Sequence, residues 1–338
     1  MSRKTAVYIA IALLTLVIGF LAGYQYGVSR VETVTTTVTT TATTTFYSTT
    51  TITTTVTITP STTPQQLRAI TLRYPGNSSS PVDLNSDGVY DVLLEINPWN
   101  MEKADGFQTI VVDLINGVIK VNSDLANVYP PNWANGYPEI IIGRKPWTTY
   151  YYNGLGVEFP MRVRDARPFV ISFYICVEHL DPSMNFNIAA DAWIVRESIA
   201  MSLGMPPAKG DLEIMVWLFS QNLNPAGRKI GEEVVPISIN GSVIEAVFEV
   251  WRHDSVEWGG WQYIAFRPKM WGIRCGYIAY NPIDFVTAAS KYATFDISDY
   301  YLLGWEIGTE WGTTTSNGLA KFSWFLKDLE IQPGKTLR

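Results

Sequence analysis

Along residues 210–221, GDLEIMVWLFSQ, Leu212, Ile214, Val216 and Leu218 fall on one side of an extended chain, and Glu213, Met215, Trp217 and Phe219 on the other. The first set predicts a face turned to a core. The second puts a carboxylate among large apolar surfaces. Comparable runs recur in DVLLEI, GFQTIVVDLINGVIKV, RPFVISFYICVEHL, FNIAADAWIV, VIEAVFEVW, WQYIAFRP, YYLLGWEIGTEW and AKFSWFLKDLEI, each bounded by turn residues. Asn116-Gly117 between two alternating runs predicts a hairpin. Helical spacing shows in NPIDFVTAASKYA, where Ile283, Val286 and Ala289 or Ser290 recur. Strands do not alternate with helices, which excludes a doubly wound sheet. The prediction is an all-β domain over residues 65–338: a two-sheet antiparallel sandwich of the jelly-roll kind, with a single helix and a concave cleft.

Before residue 65 the pattern changes. Residues 5–24 are almost uninterrupted apolar positions behind Arg3 and Lys4, about the length that crosses a bilayer. Residues 1–30 therefore read as a transmembrane anchor, or as a signal segment cut near Ala22 and Gly23; either exports the remainder, leaving it secreted or tethered at the cell surface. Residues 31–64 form a Thr-dominated tract with almost no charge and no face to bury, the pattern of an extended stalk open to O-glycosylation. Fully extended, it would reach roughly 100 Å.

Composition sharpens this picture. Of 338 residues, 47% are hydrophobic and 12 are Trp, ample for a core, while charged residues make up only 17%. A net charge of −6 gives no basic footprint, so nucleic acid is not a partner. Two cysteines, Cys176 and Cys275, are too few for a cysteine-based zinc site; in an exported chain they form either a disulfide or a pair of buried thiols. The chain has no phosphate loop, G-x-S-x-G elbow or H-E-x-x-H, and its two histidines, His179 and His253, lie far apart.

The chemistry thus rests on carboxylates. Glu213 has a counterpart in GWEIGTEWG, where Glu310 also stands in a strand beside Trp. Two carboxylates on a concave face among aromatic rings suit glycoside cleavage: one protonates the leaving oxygen, the other attacks carbon or activates water. Glu306 shares the parity of Glu310 but lies about 13 Å from it along an extended strand. Met215, Trp217, Trp99, Asn97 and Pro225 are candidate sugar-binding residues.

Over nearly all of residues 65–338 the chain resembles glycoside hydrolase family 12, the jelly-roll endoglucanases. EIMVW resembles the family's nucleophile strand and GTE its acid/base motif, implying Glu213 as nucleophile and Glu310 as proton donor. NIAADAWI resembles the strand whose Asp hydrogen-bonds the nucleophile, implying that role for Asp191. NPWN, GYPEIIIGRKPW and NPAG match further family segments in the same chain order, Glu139 within the second taking a structural role. Two stretches depart from the pattern: RESIAMSLGMPPAK lengthens the connection between Asp191 and Glu213, and WRHDSVEWGGW, residues 251–261, is longer than the usual turn. The resemblance implies a retaining endo-β-1,4-glucanase acting on cellulose or a related β-glucan; the alternatives are a non-catalytic carbohydrate-binding lectin of the cell surface, or the same hydrolase fold acting mainly on xyloglucan or xylan. A monomer without a catalytic cofactor is the expectation.

One motif stands apart. In DLNSDGVYD, Asp83, Asn85, Asp87, Val89 (through its carbonyl) and Asp91 hold the spacing of a calcium loop, with Gly88 at the sharp turn. The twelfth-position Glu is missing, and a plain Asx-rich turn has the same composition. A structural calcium ion is the expectation.

Overall fold

Alternating runs pair as strands because only a sheet satisfies their backbone groups while burying one face. The computed structural model describes residues 39–44, 48–53 and 69–337, apart from Trp271 and Ser316. The expected anchor or signal segment lies outside the described residues. Among these, no helix is long and apolar enough to cross a membrane. The chain divides into two compact units, Met1–Gln65 and Gln66–Arg338. In the first, β1 (Thr39–Thr44) pairs antiparallel with β2 (Ser48–Thr53). This part of the tract folds back on itself, as β-branched Thr favours extended pairing.

The second unit is a curled sheet. One run of neighbours passes through β3 (Ala69–Tyr74), β6 (Lys103–Asp113), β7 (Val118–Tyr129), β21 (Ala320–Pro333), β11 (Phe169–Leu180) and β17 (Cys275–Tyr280). The other passes through β4 (Ser79–Val82), β5 (Val92–Glu95), β9 (Glu139–Gly143), β19 (Gly304–Gly308), β12 (Asn185–Val195), β13 (Leu212–Gln221), β16 (Gln262–Pro268), β15 (Ser242–His253) and β14 (Arg228–Ile239). In this second run β8 (Asn132–Gly136) and β20 (Trp311–Thr313) extend the rows of β9 and β19, while β10 (Met161–Arg162) and β18 (Tyr301–Leu302) add short pairings.

The expected two separate sheets are replaced by one hydrogen-bonded sheet of 19 strands. The joint is β14, which pairs with β15 along most of its length and, at Ile237, Ser238 and Ile239, with β17. The sheet curls nearly into a barrel. Leu212, Ile214, Val216 and Leu218 face the main core with Ala190, Ala192, Ile194, Ile264 and Phe266. Met215 and Trp217 face away from it, in a second apolar cluster with Ala189, Trp193, Tyr263 and Ala265. Period two thus separates a structural face from a concave one.

The predicted helix forms as α2 (Pro282–Tyr292); Asn281 caps it by accepting from the Ile283 N–H at 3.1 Å, with Pro282 in the first turn. It is not alone, because the long connection after β12 contributes the four-residue α1 (Glu197–Ala200). Cys176 and Cys275 lie opposite each other on β11 and β17 and form a disulfide.

Candidate active site

The concave strands surround a cavity of about 450 Å³ whose walls carry Glu213, Glu310, Asp191, Glu306, Met215, Trp217, Asn97 and Trp99. The catalytic and sugar-binding candidates read from the sequence, Pro225 apart, thus line one cavity. Pro225 does not contribute: it is buried, and its neighbours Asn224 and Ala226 face the cavity. The loop that carries it bends so that the ring tucks inward and the flanking side chains turn out.

Glu213 enters near the start of β13, directly opposite Trp193 on β12. Its Oε2 accepts from Trp261 Nε1 at 2.5 Å. Burial pushes its carboxyl up to about 8, against the Trp261 bond and with the negative charge of Glu310 adding to the rise. Glu310 follows β19 and is held by Asn187, whose Nδ2 donates to Oε2 at 2.7 Å and whose Oδ1 accepts the Glu310 N–H at 2.8 Å. The backbone closes the frame, with Asn187 N donating to Glu310 O at 3.0 Å. Burial raises this carboxyl to about 7, against the Asn187 bond. Both groups retain a proton where a free glutamate has lost it.

Asp191 faces the same cavity and is held well above its usual range by burial and by the charge of Glu213. Its tie to Glu213 is electrostatic, and its Oδ1 has no hydrogen-bond partner. The hydrogen bond expected from Asp191 is supplied instead by Trp261, within the long turn that sequence reading set aside as a departure.

Beside these, Lys145 Nζ bridges Glu95 and Glu139, the latter at 2.7 Å, and Asn97 Nδ2 donates to the same Glu139 Oε1 at 2.8 Å. Burial opposes the charge on Lys145, yet Glu139 and Glu95 outweigh it and raise its proton affinity. Glu306, opposite Asp191 in the strand register, is pushed well up by burial and by Glu139. Asn97 has a φ of 43°, a left-handed conformation that Asn tolerates better than most residues.

Rings complete the walls. Trp147 meets Trp193 edge-on at 5.0 Å, and Trp193 meets Trp261 at 5.1 Å. Tyr263 Oη donates to Met215 Sδ at 3.3 Å, so Met215 and Trp217, nearly inaccessible, are the closed back of the cavity and Trp99 its open side. Lys145, Asn187, Trp193, Tyr263 and Trp261 escaped prediction. Alternation within β12 and β16 held the signal for three of them, because Asn187, Asp191, Trp193 and Tyr263 all share the concave parity.

The Asp83–Asp91 loop closes on itself. Asp83 accepts from the Asp87 and Gly88 N–H groups at 3.2 and 2.8 Å, Asn85 from Asp87 at 2.9 Å, and Asp87 from Val89 at 2.8 Å. Asp91, buried, accepts from Leu84 at 2.7 Å. Among the described residues no group of three or more His, Cys, Asp or Glu is placed to hold a metal ion. Asp83, Asn85 and Asp87 thus act as Asx-turn acceptors within the loop.

Comparison with known proteins decides the ancestry of this cleft. The sequence pattern of glycosyl hydrolase family 12 matches residues 90–330. The chain belongs to that family. It is a glycoside hydrolase. No curated protein matches it significantly in sequence. Solved structures do match in fold: endoglucanase cel12A from Rhodothermus marinus has a TM-score of 0.54 at 21% identity, over 78% of this chain and 98% of that one. A family 12 xyloglucanase from Bacillus licheniformis, in complex with ligand, has 0.55 at 21%, over 76% and 98%. Trichoderma harzianum endoglucanase 3 has 0.55 at 14%, over 79% and 99%.

Proposed function

We propose that this glycoside hydrolase is a retaining endo-β-1,4-glucanase, with Glu213 as nucleophile and Glu310 as acid/base. The observation that carries the reading is the convergence of Glu213 and Glu310 on one aromatic-walled cavity. In the first step the Glu310 carboxyl protonates the glycosidic oxygen as Glu213 attacks the anomeric carbon, breaking the C–O bond and forming a glycosyl ester. In the second, Glu310, now charged, removes a proton from water, which displaces Glu213 and restores the β configuration. The Asn187 frame holds Glu310 to one orientation through both steps. Trp261 stabilises the charge that Glu213 carries before attack and regains on release. Asp191, without a hydrogen-bond partner on Oδ1, is a positioning residue whose retained proton spares Glu213 a second adjacent charge.

Substrate breadth among the structural relatives spans endoglucanase and xyloglucanase, which supports a β-glucan as substrate. The Cys176–Cys275 bridge supports an oxidising, extracellular location, with the N-terminal segment as anchor or export signal.

The test is stereochemical. Proton NMR of early products should show the β-anomer first; Glu213→Gln should nearly abolish turnover, and azide should rescue Glu310→Ala on an activated aryl glycoside as a β-glycosyl azide. Initial accumulation of the α-anomer would overturn the nucleophile assignment.

A further inference from the structure

The turn between β15 and β16, residues 254–261, carries Trp258, and that ring faces the cavity containing the two glutamates. It also touches Trp133 of β8, the ring centroids being 5.9 Å apart, and Trp133 in turn meets Trp99 at 6.4 Å. The strand order makes this contact informative. β16 pairs with β13, β13 with β12, β12 with β20 and β20 with β8. Four interstrand steps at about 4.8 Å put roughly 19 Å of sheet between the strand that Trp258 precedes and the strand that bears Trp133. The sheet curls between them, so the ring contact joins two strands that lie far apart along it.

The turn is built to stay closed. Val256 is buried in the apolar cluster, and its N–H donates to Trp261 O at 2.9 Å. Gly260 N returns to Val256 O at 2.7 Å, and Ser255 Oγ donates to Gly260 O at 3.2 Å. A Cβ on Gly259 would fall 1.6 Å from the Trp261 ring, so only glycine lets the turn pass over that indole. Trp258 itself is 44% exposed, so it caps the cavity and is not packed within the fold.

We infer that Trp258, with Trp133, forms an aromatic bridge over the cleft that admits unbranched β-glucan and rejects chains bearing sugars on O6. The inference rests on the reading of the cleft as a β-glucanase site and deepens it. An unbranched glucan is a ribbon whose two faces are C–H surfaces, and these stack between rings above and below. A side sugar at the bridged position thickens that ribbon, and the chain then enters only by parting Trp258 from Trp133 and losing the stacking on both.

Steady-state kinetics on cellohexaose and on xyloglucan test the bridge. The wild type should favour cellohexaose in kcat/KM by about a hundredfold or more, and Trp258→Ala should narrow that ratio at least about tenfold, chiefly through a lower KM for xyloglucan. Trp258→Phe, which keeps a ring, should retain most of the wild-type ratio. Should Trp258→Ala lose its fold by circular dichroism, Trp258→Gln is measured in its place and should narrow the ratio equally. A wild type that cleaves both substrates alike, or a ratio unmoved by removing the ring, overturns the bridge while leaving β-glucanase activity standing. Failure of the wild type on every β-glucan overturns the functional reading, and the bridge with it.

Discussion

Replacing Trp261 with Phe removes the indole N–H together with three heavy atoms of a buried ring that meets Trp147 and Trp193, so lost packing and the lost donor have to be told apart. That N–H is the donor to Glu213, and a hydrogen bond to a charged acceptor is worth about 1.5–3 kcal/mol. Losing it should raise the proton affinity of Glu213 by about 1–2 pH units. Burial pushes Glu213 up to about 8 and Glu310 to about 7, so a single proton on the pair is distributed between two arrangements. The one the proposed mechanism uses has Glu213 charged and Glu310 protonated. Trp261→Phe should deplete it by ~10–100-fold, and kcat/KM should fall by the same factor. The basic limb of the kcat/KM profile, set by the group that keeps its proton longest, should move up by about 1–2 pH units, while the acidic limb stays. Initial rates on cellohexaose from pH 3 to 10 measure both. Lost activity with unmoved limbs would reduce Trp261 to packing, and an unchanged profile would remove the bond from the mechanism.

The same two carboxyls set the pH dependence of stability. Their folded proton affinities lie above the unfolded value, so the stabilisation is fully present below about pH 4.5 and is lost as pH rises through about 7 and about 8; Tm should fall between pH 5 and pH 8, and a flat or rising Tm would contradict the burial ascribed to them. Reduction of the Cys176–Cys275 bridge, which spans 99 positions, should cost about 4–5 kcal/mol of unfolding free energy in the chain-entropy picture, seen as a lower denaturant midpoint with dithiothreitol than without. We propose calcium as a ligand of the Asp83–Asp91 loop. Chelation should then lower the Tm of the wild type but not of Asp83→Ala/Asp87→Ala, a hundredfold excess over Kd being worth about 2.7 kcal/mol; equal responses would leave the loop as an Asx-closed turn.

Period two made the concave face legible wherever a strand alternates large apolar residues with something chemically out of place. Glu213 among Met215 and Trp217 is the clearest case, whereas Glu310 lies just past the end of β19, between it and β20. The structure separates their surroundings into two apolar clusters as the alternation implied. What the sequence could not show depends on contacts across the sheet. Trp261 bonds to a residue 48 positions away, and Lys145 joins Glu139 of its own segment to Glu95 of a distant one. Neither pairing leaves a local period. Pro225 failed for a related reason, because loop residues follow no fixed parity and only the bend decides which side chain faces the cavity. The single curled sheet was hidden likewise, since nothing in Ile237, Ser238 or Ile239 announces that these residues leave one row of neighbours for another.

β13 and β16 run parallel in a sheet that is otherwise antiparallel among its neighbours, with Leu212 opposite Gln262 and Glu213 opposite Tyr263. Parallel neighbours need a long excursion between them, and here it is the β14–β15 hairpin, which returns the chain to the end of the sheet where it left Glu213. The turn that delivers Trp258 and Trp261 is therefore the tail of a detour, outside the strand that carries Glu213. One short connection thus bears both the donor to that carboxylate and a ring on the cavity wall, and a change in its length would alter the two together.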